Sequence, residues 1–259
     1  MKKLLRYLLE LRFLPGVSSF LFDNETWLRL LPLRRFFRVA DPGKNQRIID
    51  VGGGTGRLEL ALKRTDVLIY DLSSESIAIA QKNFPQTRVG SGAGIDFPDD
   101  SFDWAISVHT LEHVPKSERE KFLLEMIRVA KKGVYLNFPE GEHAELLCRN
   151  FLAALDKKGL EANPWTIEHL ETGLPLLHEI LAILEKQDKF IFRYRFIRNF
   201  KAENAYWTKQ RTAGPLKSYF LSPWLSLQKL SRYNKLPGVE ILLAGARDEA
   251  TLEKMLKVG

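Results

Sequence analysis

From about Ala40 to Pro139, short apolar runs alternate with longer stretches whose apolar positions recur every three or four residues. The runs Arg47 to Val51, Val67 to Tyr70, Thr87 to Gly90, Phe102 to Ser107 and Gly133 to Phe138 are rich in β-branched or aromatic residues. Each is bounded by Gly, Pro, Asp or Ser, which predicts strands. Strands spaced by helices imply a parallel sheet with helices on both faces. The clearest helix follows Pro115: Ser117 and Glu120 are spaced as a capping box, and Phe122, Leu123, Met126, Ile127 and Ala130 share one face before Gly133, which is placed to stop it.

The flanks extend this pattern. The chain up to about Ala40 is apolar and helix-rich. Its opening stretch, Met1 to Leu14, reads as an amphipathic helix rather than a signal peptide, because Arg6, Glu10 and Arg12 interrupt the apolar run and no small-residue cleavage site follows. After Pro139 come helical stretches around Ala144 to Lys157 and Leu174 to Glu185, then strand-like runs from Lys189 to Arg195 and Val239 to Gly245, expected to complete the sheet. The expectation is one α/β domain with a doubly wound, mostly parallel sheet. Residues 1–43 form a helical leader or lid, 44–140 the ligand-binding core, 141–187 a helical segment, and 188–259 the final strands with an insertion at about 200–237. No run approaches the roughly 18 uncharged apolar residues needed to span a bilayer; Ser218 to Gln228 is short and contains Pro223.

Composition narrows the function classes. With 45% apolar and 27% charged residues in 259, the chain is neither disordered nor fibrous. A single cysteine, Cys148, permits no internal disulfide and points to a reducing cytoplasm. The net charge of +7 is uneven: Asp188 to Leu236 holds 11 Lys or Arg against two acids, interleaved with 11 aromatic residues. Basic plus aromatic suits single-stranded nucleic acid. It also suits a membrane surface on the inner face, with Phe220, Leu221, Trp224 and Leu225 at helical spacing. The plainer alternative puts the aromatics in the core and leaves the cations solvated.

The chemistry concentrates in Ile48 to Leu60, where a strand runs through a glycine-rich turn into a helix. Free main-chain N–H groups and the helix dipole meet an electron-rich ligand there. Gly52, Gly54 and Gly56 let a ligand lie against the backbone. A dinucleotide fingerprint beginning at Gly52 would need glycine where Arg57 stands; the spacing is D-x-G-x-G-x-G from Asp50. Asp71 ends the second strand, placed to accept from two ribose hydroxyls, and Leu72 is placed to press on an adenine face.

These motifs, with G-S-G-A-G-I-D-F-P-D-D-S-F-D-W-A-I-S from Gly90 to Ser107 and H-T-L-E-H-V-P from His109 to Pro115, resemble the class I S-adenosylmethionine-dependent methyltransferases over roughly Asn45 to Pro139. The resemblance implies that Asp50 and Gly52 line the methionine moiety, that Gly54 and Gly56 permit close approach, that Asp71 holds the ribose and that the Ser107 carbonyl meets the ammonium group. Ser91 stands where many members have an acid for the adenine amino group, and main-chain groups at Gly92 and Ala93 can compensate. The implied reaction is in-line methyl transfer to a small-molecule, glycan or lipid-linked acceptor. RNA methylation is the alternative among enzymes, with nucleic acid the weaker partner, and a non-catalytic or dinucleotide-binding protein is the alternative outside them.

His113, His109 and His143 are the candidate general bases. His109 and His113 flank Glu112 as a metal pair would, but no third ligand lies at a recognisable spacing, so no metal is assigned. The segment Pro164 to Pro175, with Trp165, Glu168 and His169, resembles one found in a subset of these methyltransferases and reads either as acceptor-site lining or as a solvated helix start.

Overall fold

The computed structural model describes residues 24–210, 212–213, 224–225, 227–229, 232 and 235–257. Its strands are β1 (Ile48–Val51), β2 (Leu68–Asp71), β3 (Thr87–Val89), β4 (Phe102–Val108), β5 (Ala130–Pro139), β6 (Ile191–Asn199) and β7 (Gly238–Ala246). Among the described residues they form one seven-stranded sheet in the order β3-β2-β1-β4-β5-β7-β6. The pairings from β3 through β5 are parallel, and β7 runs antiparallel to both β5 and β6. The expected doubly wound sheet is therefore present, completed by the two last runs.

Both faces are covered, because side chains alternate across each strand. Ile49, Val51, Ala105, Val134, Leu136, Ile241 and Leu243 pack with Phe122, Leu123 and Met126 of helix α4 (Arg119–Val129) and with Ile180 and Leu184 of α7 (Leu177–Leu184). Their neighbours Ile48, Trp104, Ile106, Tyr135, Leu242 and Ala244 pack on the opposite face. There they meet Leu28, Leu33 and Phe36 of α1 (Asn24–Ala40), Ile77 of α3 (Ser74–Ala80) and Leu252 of α9 (Glu249–Leu256). Each such side chain contributes about 1.5–3 kcal/mol by leaving water. Further helices are α2 (Arg57–Ala61) after β1, then α5 (Gly141–Asp156), α6 (Pro164–Thr172) and α8 (Phe200–Ala205).

Several boundaries differ from the sequence expectation. Ser117 lies in a 3₁₀ turn, Lys116–Glu118, and α4 begins at Arg119 with Glu118 as an N-cap that makes no side-chain cap bond, so the Ser117–Glu120 capping box does not form. Gly133 does not stop α4: the helix ends at Val129 and β5 starts at Ala130. Gly133 sits inside the strand, where an added Cβ would run into the Gly245 carbonyl and the Trp104 ring, so its lack of a side chain lets β5 and β7 approach. β6 starts later than Lys189, whose ammonium group is drawn instead to the Ile127 and Arg128 carbonyls (2.9 and 3.0 Å) at the end of α4.

The leader helix at Met1 to Leu14 and the residues Tyr219, Phe220 and Leu221 lie outside the described residues. Within the insertion, Tyr206, Leu225 and Lys229 are buried and Trp224 is exposed, so Leu225 does not join Trp224 on a solvent-facing surface. Lys229 is not a solvated cation: its Nζ pairs with Glu203 Oε2 at 2.8 Å. Among the described residues no helix is long and apolar enough to cross a membrane.

Candidate active site

The turn after β1 is built by glycine conformation. Gly52, Gly54 and Gly56 have φ of 79°, 56° and 68°, in the left-handed region that side chains disfavour. The Gly52 N–H donates to the Tyr70 carbonyl at 2.7 Å, and the Gly52 carbonyl accepts from Thr110 Oγ1 at 3.2 Å, so the turn is clamped between β2 and the segment after β4. A Cβ at Gly52 would collide with Thr110, and one at Gly56 with Phe84, whereas one at Gly54 would meet nothing within 4 Å. Gly54 thus borders open space. Asp71 faces it, accepting from Gly54 N–H at 2.8 Å on Oδ2 and from Ser73 N–H at 2.8 Å on Oδ1. Each carboxylate oxygen retains a lone pair for a further donor.

Beneath the turn, Asp50 is buried and its Oδ1 has no hydrogen-bond partner. Burial, reinforced by the neighbouring Glu59 carboxylate, raises the Asp50 pKa well above its ordinary value, and burial raises that of Glu59 as well, so the pair retains a proton at a pH where exposed carboxyl groups have lost theirs. Leu72 is exposed beside Asp71. Ser91 is exposed too, and its Oγ accepts the Ala93 N–H at 3.2 Å; Gly92 packs so closely on Phe122 and Val51 that no side chain would fit. The buried Ser107 hydroxyl donates to the Val51 carbonyl at 2.9 Å, locking the ends of β4 and β1 together.

The other half of the site lies past the ends of β4 and β5. His109 turns the chain with φ of 56° and donates its N–H to the Asn137 carbonyl at 2.8 Å. Its Nδ1 lies 3.0 Å from Glu112 Oε1, and its Nε2 lies 3.4 Å from Glu240 Oε1, near enough to pair electrostatically though not aligned as a hydrogen bond. Burial and Arg29 work against a charged imidazole, yet Glu240 and Glu112 outweigh them and raise the His109 pKa. Arg198 bridges onward from Glu240 to Glu203, which it meets at 2.8 Å. For Glu240, burial opposes ionisation, but Arg198, His109 and Arg29 bring its pKa down to about 2.

His113 Nδ1 meets Glu168 Oε1 of α6 at 3.1 Å, with Trp165 edge-on 5.2 Å from its ring. His169, also on α6, stands 5.1 Å ring to ring from His113. A cavity of about 50 Å³ opens among Arg29, His109, Cys148, His169, Trp207 and Glu240. His143 does not line it; it is exposed on the first turn of α5 against Phe200.

The sequence of residues 49–138 matches that of a family described as "Methyltransferase domain". Residues 49–138 carry a methyltransferase domain, and the sheet built around them has the fold shared by solved S-adenosylmethionine-dependent methyltransferases. The chain is 32% identical to ajmaline N-methyltransferase of Rauvolfia serpentina over 118 residues, 41% of this chain and 40% of that one. It is 33% identical over 96 residues to phosphatidylethanolamine N-methyltransferase of Cereibacter sphaeroides, 34% of this chain and 46% of that one. The chain thus spans less than half the length of these curated relatives. A crystal structure of an S-adenosylmethionine-dependent methyltransferase from Archaeoglobus fulgidus superposes with a TM-score of 0.54 at 16% identity, covering 87% of this chain and 96% of that one, which establishes the shared fold.

The methyltransferase domain suits its cofactor on three counts: free space at Gly54, a carboxylate with spare lone pairs at Asp71, and a buried unpartnered oxygen at Asp50. Sequence reasoning missed Glu59, Arg198 and Glu240. Their signal is an acid or cation where the apolar pattern asks for a hydrophobe: Glu59 on the buried side of α2, and Glu240 within the otherwise apolar run of β7.

Proposed function

We propose that this methyltransferase moves the methyl group of S-adenosylmethionine to a small-molecule, glycan or lipid-linked acceptor, working in the cytoplasm and peripheral to the inner face of the membrane. The observation that carries the reading is the open space at Gly54 facing Asp71. S-adenosylmethionine, when bound, supplies a methyl on a sulfonium whose leaving group is neutral. The chain must therefore align the reactants and exclude water more than supply charge.

In this reading Asp71 accepts from the ribose hydroxyls, Leu72 covers one adenine face, and Ser91, Gly92 and Ala93 form the adenine edge. Gly54 and Gly56 allow close approach of the main chain. Asp50 and Gly52 border the methionine moiety, with the Ser107 carbonyl serving its ammonium group. Two buried carboxyl groups, Asp50 and Glu59, lie below the turn, an acidic setting that suits a cationic ligand.

The acceptor enters from the side of the cavity between His109, His169 and Trp207. The names of both relatives support an amine nitrogen as the receiving atom. A neutral amine needs no base for attack, whereas a hydroxyl does. His109 serves that role poorly because carboxylates face both its ring nitrogens, and His143 is exposed on α5 against Phe200. His113, part exposed with Nδ1 held by Glu168 and its ring 5.1 Å from that of the cavity-lining His169, is then the histidine placed for it. The exposed Trp224 and Leu227 support the membrane contact.

Calorimetric titration with S-adenosylmethionine, S-adenosylhomocysteine and NAD tests the cofactor: saturable binding of the first two is expected, and binding of NAD alone would reject the reading. Labelled-methyl incubation with separated lipid, glycan and small-molecule fractions then reports the acceptor class. Sedimentation with anionic vesicles and with RNA at rising salt separates surface partners, since RNA binding falls steeply as counterions compete.

A further inference from the structure

Three side chains near the acceptor cavity are brought together by the fold from distant stretches. Glu112 and His113 come from the 3₁₀ turn after β4 (Leu111–His113), and His169 comes from α6. One ligand-capable atom from each lies within 4.8 Å of the others, and the trio is part buried. We propose that Glu112, His113 and His169 bind one divalent transition-metal ion, Zn²⁺ being the best matched, with its open coordination position turned toward the acceptor.

The arrangement behind each ligand supports this. Glu112 commits Oε1 to His109 Nδ1 at 3.0 Å, and its other oxygen, Oε2, is buried with no hydrogen-bond partner. His169 has its Nδ1 3.8 Å from the Cys148 thiol, and its Nε2 is likewise buried without a partner. His113 has its Nδ1 held by Glu168 Oε1 at 3.1 Å. A metal-binding histidine whose second nitrogen is fixed by a carboxylate is the usual outer arrangement at such sites. Glu112 is 1% exposed, so an unsatisfied carboxylate oxygen there is expensive unless a cation meets it.

The donor set narrows the ion. Two imidazoles and one carboxylate suit Zn²⁺, Mn²⁺ or Fe²⁺ rather than Ca²⁺ or Mg²⁺, which prefer all-oxygen shells. Two ligands on one zinc stand at most about 4.2 Å apart, twice the usual bond, so the trio closes by a fraction of an ångström on binding. Three protein ligands leave a position for water or substrate. The orientation of that position rests on the methyl-transfer reading; the ion site itself does not. A ligating His113 is no longer a free base, and a bound cation instead lowers the pKa of an acceptor hydroxyl.

The test titrates the full chain, stripped with chelator, with Zn²⁺ alone by calorimetry, and with Co²⁺ by its visible absorption. One equivalent per chain with a Kd below about 10 µM is expected, weakened at least about tenfold in His169→Ala and Glu112→Gln. S-adenosylmethionine binding is measured on the same variants and should stay within about twofold, showing that the fold survives. Should His169→Ala fail to fold by circular dichroism, His113→Gln takes its place, since that side chain is 29% exposed and tolerates change. No saturable binding to the parent protein, or equal binding in the variants, overturns the proposal. Zn²⁺ binding of the expected pattern without S-adenosylmethionine binding would instead sink the methyl-transfer reading and leave the ion site standing.

Discussion

The Gly54 N–H donates to Asp71 Oδ2 across 2.8 Å, so the carboxylate at the end of β2 is also the anchor of the turn that follows β1. Asp71 therefore shapes the turn, and under the proposed function it also receives the ribose. Replacing it by alanine should lower S-adenosylmethionine affinity by about 1–3 kcal/mol, or roughly 5- to 150-fold. The thermal midpoint should move by only a few degrees, because Asp71 is half-buried at the end of β2. Calorimetry showing unchanged affinity in the folded variant would remove Asp71 from the cofactor site.

How much of this was legible follows from the range of the interactions involved. Strands β1 to β5 and the turn at Gly52, Gly54 and Gly56 are local patterns, and the structure places them within a few residues of expectation. The cap of α3 is local in the same way: Ser73 Oγ accepts from Ser76 N–H three residues on. The capping box at Ser117 was misleading because Pro115 and the 3₁₀ turn delay the helix start. The meeting of His113 with Glu168 and His169 spans more than 50 residues and depends on how α6 docks, which no spacing rule encodes. The chain from His109 through Glu240 to Arg198 was hidden likewise, since its members sit on three different strands or turns.

The Asp50–Glu59 pair predicts an alkaline trend. Asp50 has a folded pKa raised well above its usual 3.8, so the folded state holds a proton that the unfolded chain releases above about pH 4. This contribution therefore erodes stability as pH rises from the unfolded pKa toward the folded one. Glu59→Gln removes the repulsion and keeps a hydrogen-bonding group. It should gain stability relative to the parent at pH 8 and gain less at pH 5, read from urea midpoints. A variant less stable by the same amount at both values would show that the pair shares no proton.

Gly133 offers a packing test. An added Cβ there meets the Gly245 carbonyl and the Trp104 indole, neither of which is a flexible chain end. Gly133→Ala should destabilise the fold by about 2 kcal/mol or more, lowering the thermal midpoint by about 4–8 °C. Gly94→Ala is the matched control, because its Cβ would meet nothing within 4 Å and its φ is not positive. Equal midpoints for the two variants would place β5 and β7 farther apart than the observed pairing of Gly133 with Ala246 allows.

Glu240 carries the acid-side prediction. Burial alone would favour its neutral form, but Arg198, His109 and Arg29 hold its pKa near about 2, below the ordinary 4.5. A depressed carboxylate stabilises the fold above its unfolded pKa, and that contribution disappears as pH falls from about 4.5 to about 2, amounting to something on the order of 3 kcal/mol. Glu240→Gln should therefore be markedly less stable at pH 7, while the gap to the parent narrows between pH 4.5 and pH 2.5. The narrowing matters more than the loss, because removing any partner of a buried Arg198 destabilises the protein at every pH. Denaturation curves that stay a constant distance apart down to pH 2.5 would mean that Glu240 is not the group whose protonation opens this corner of the fold.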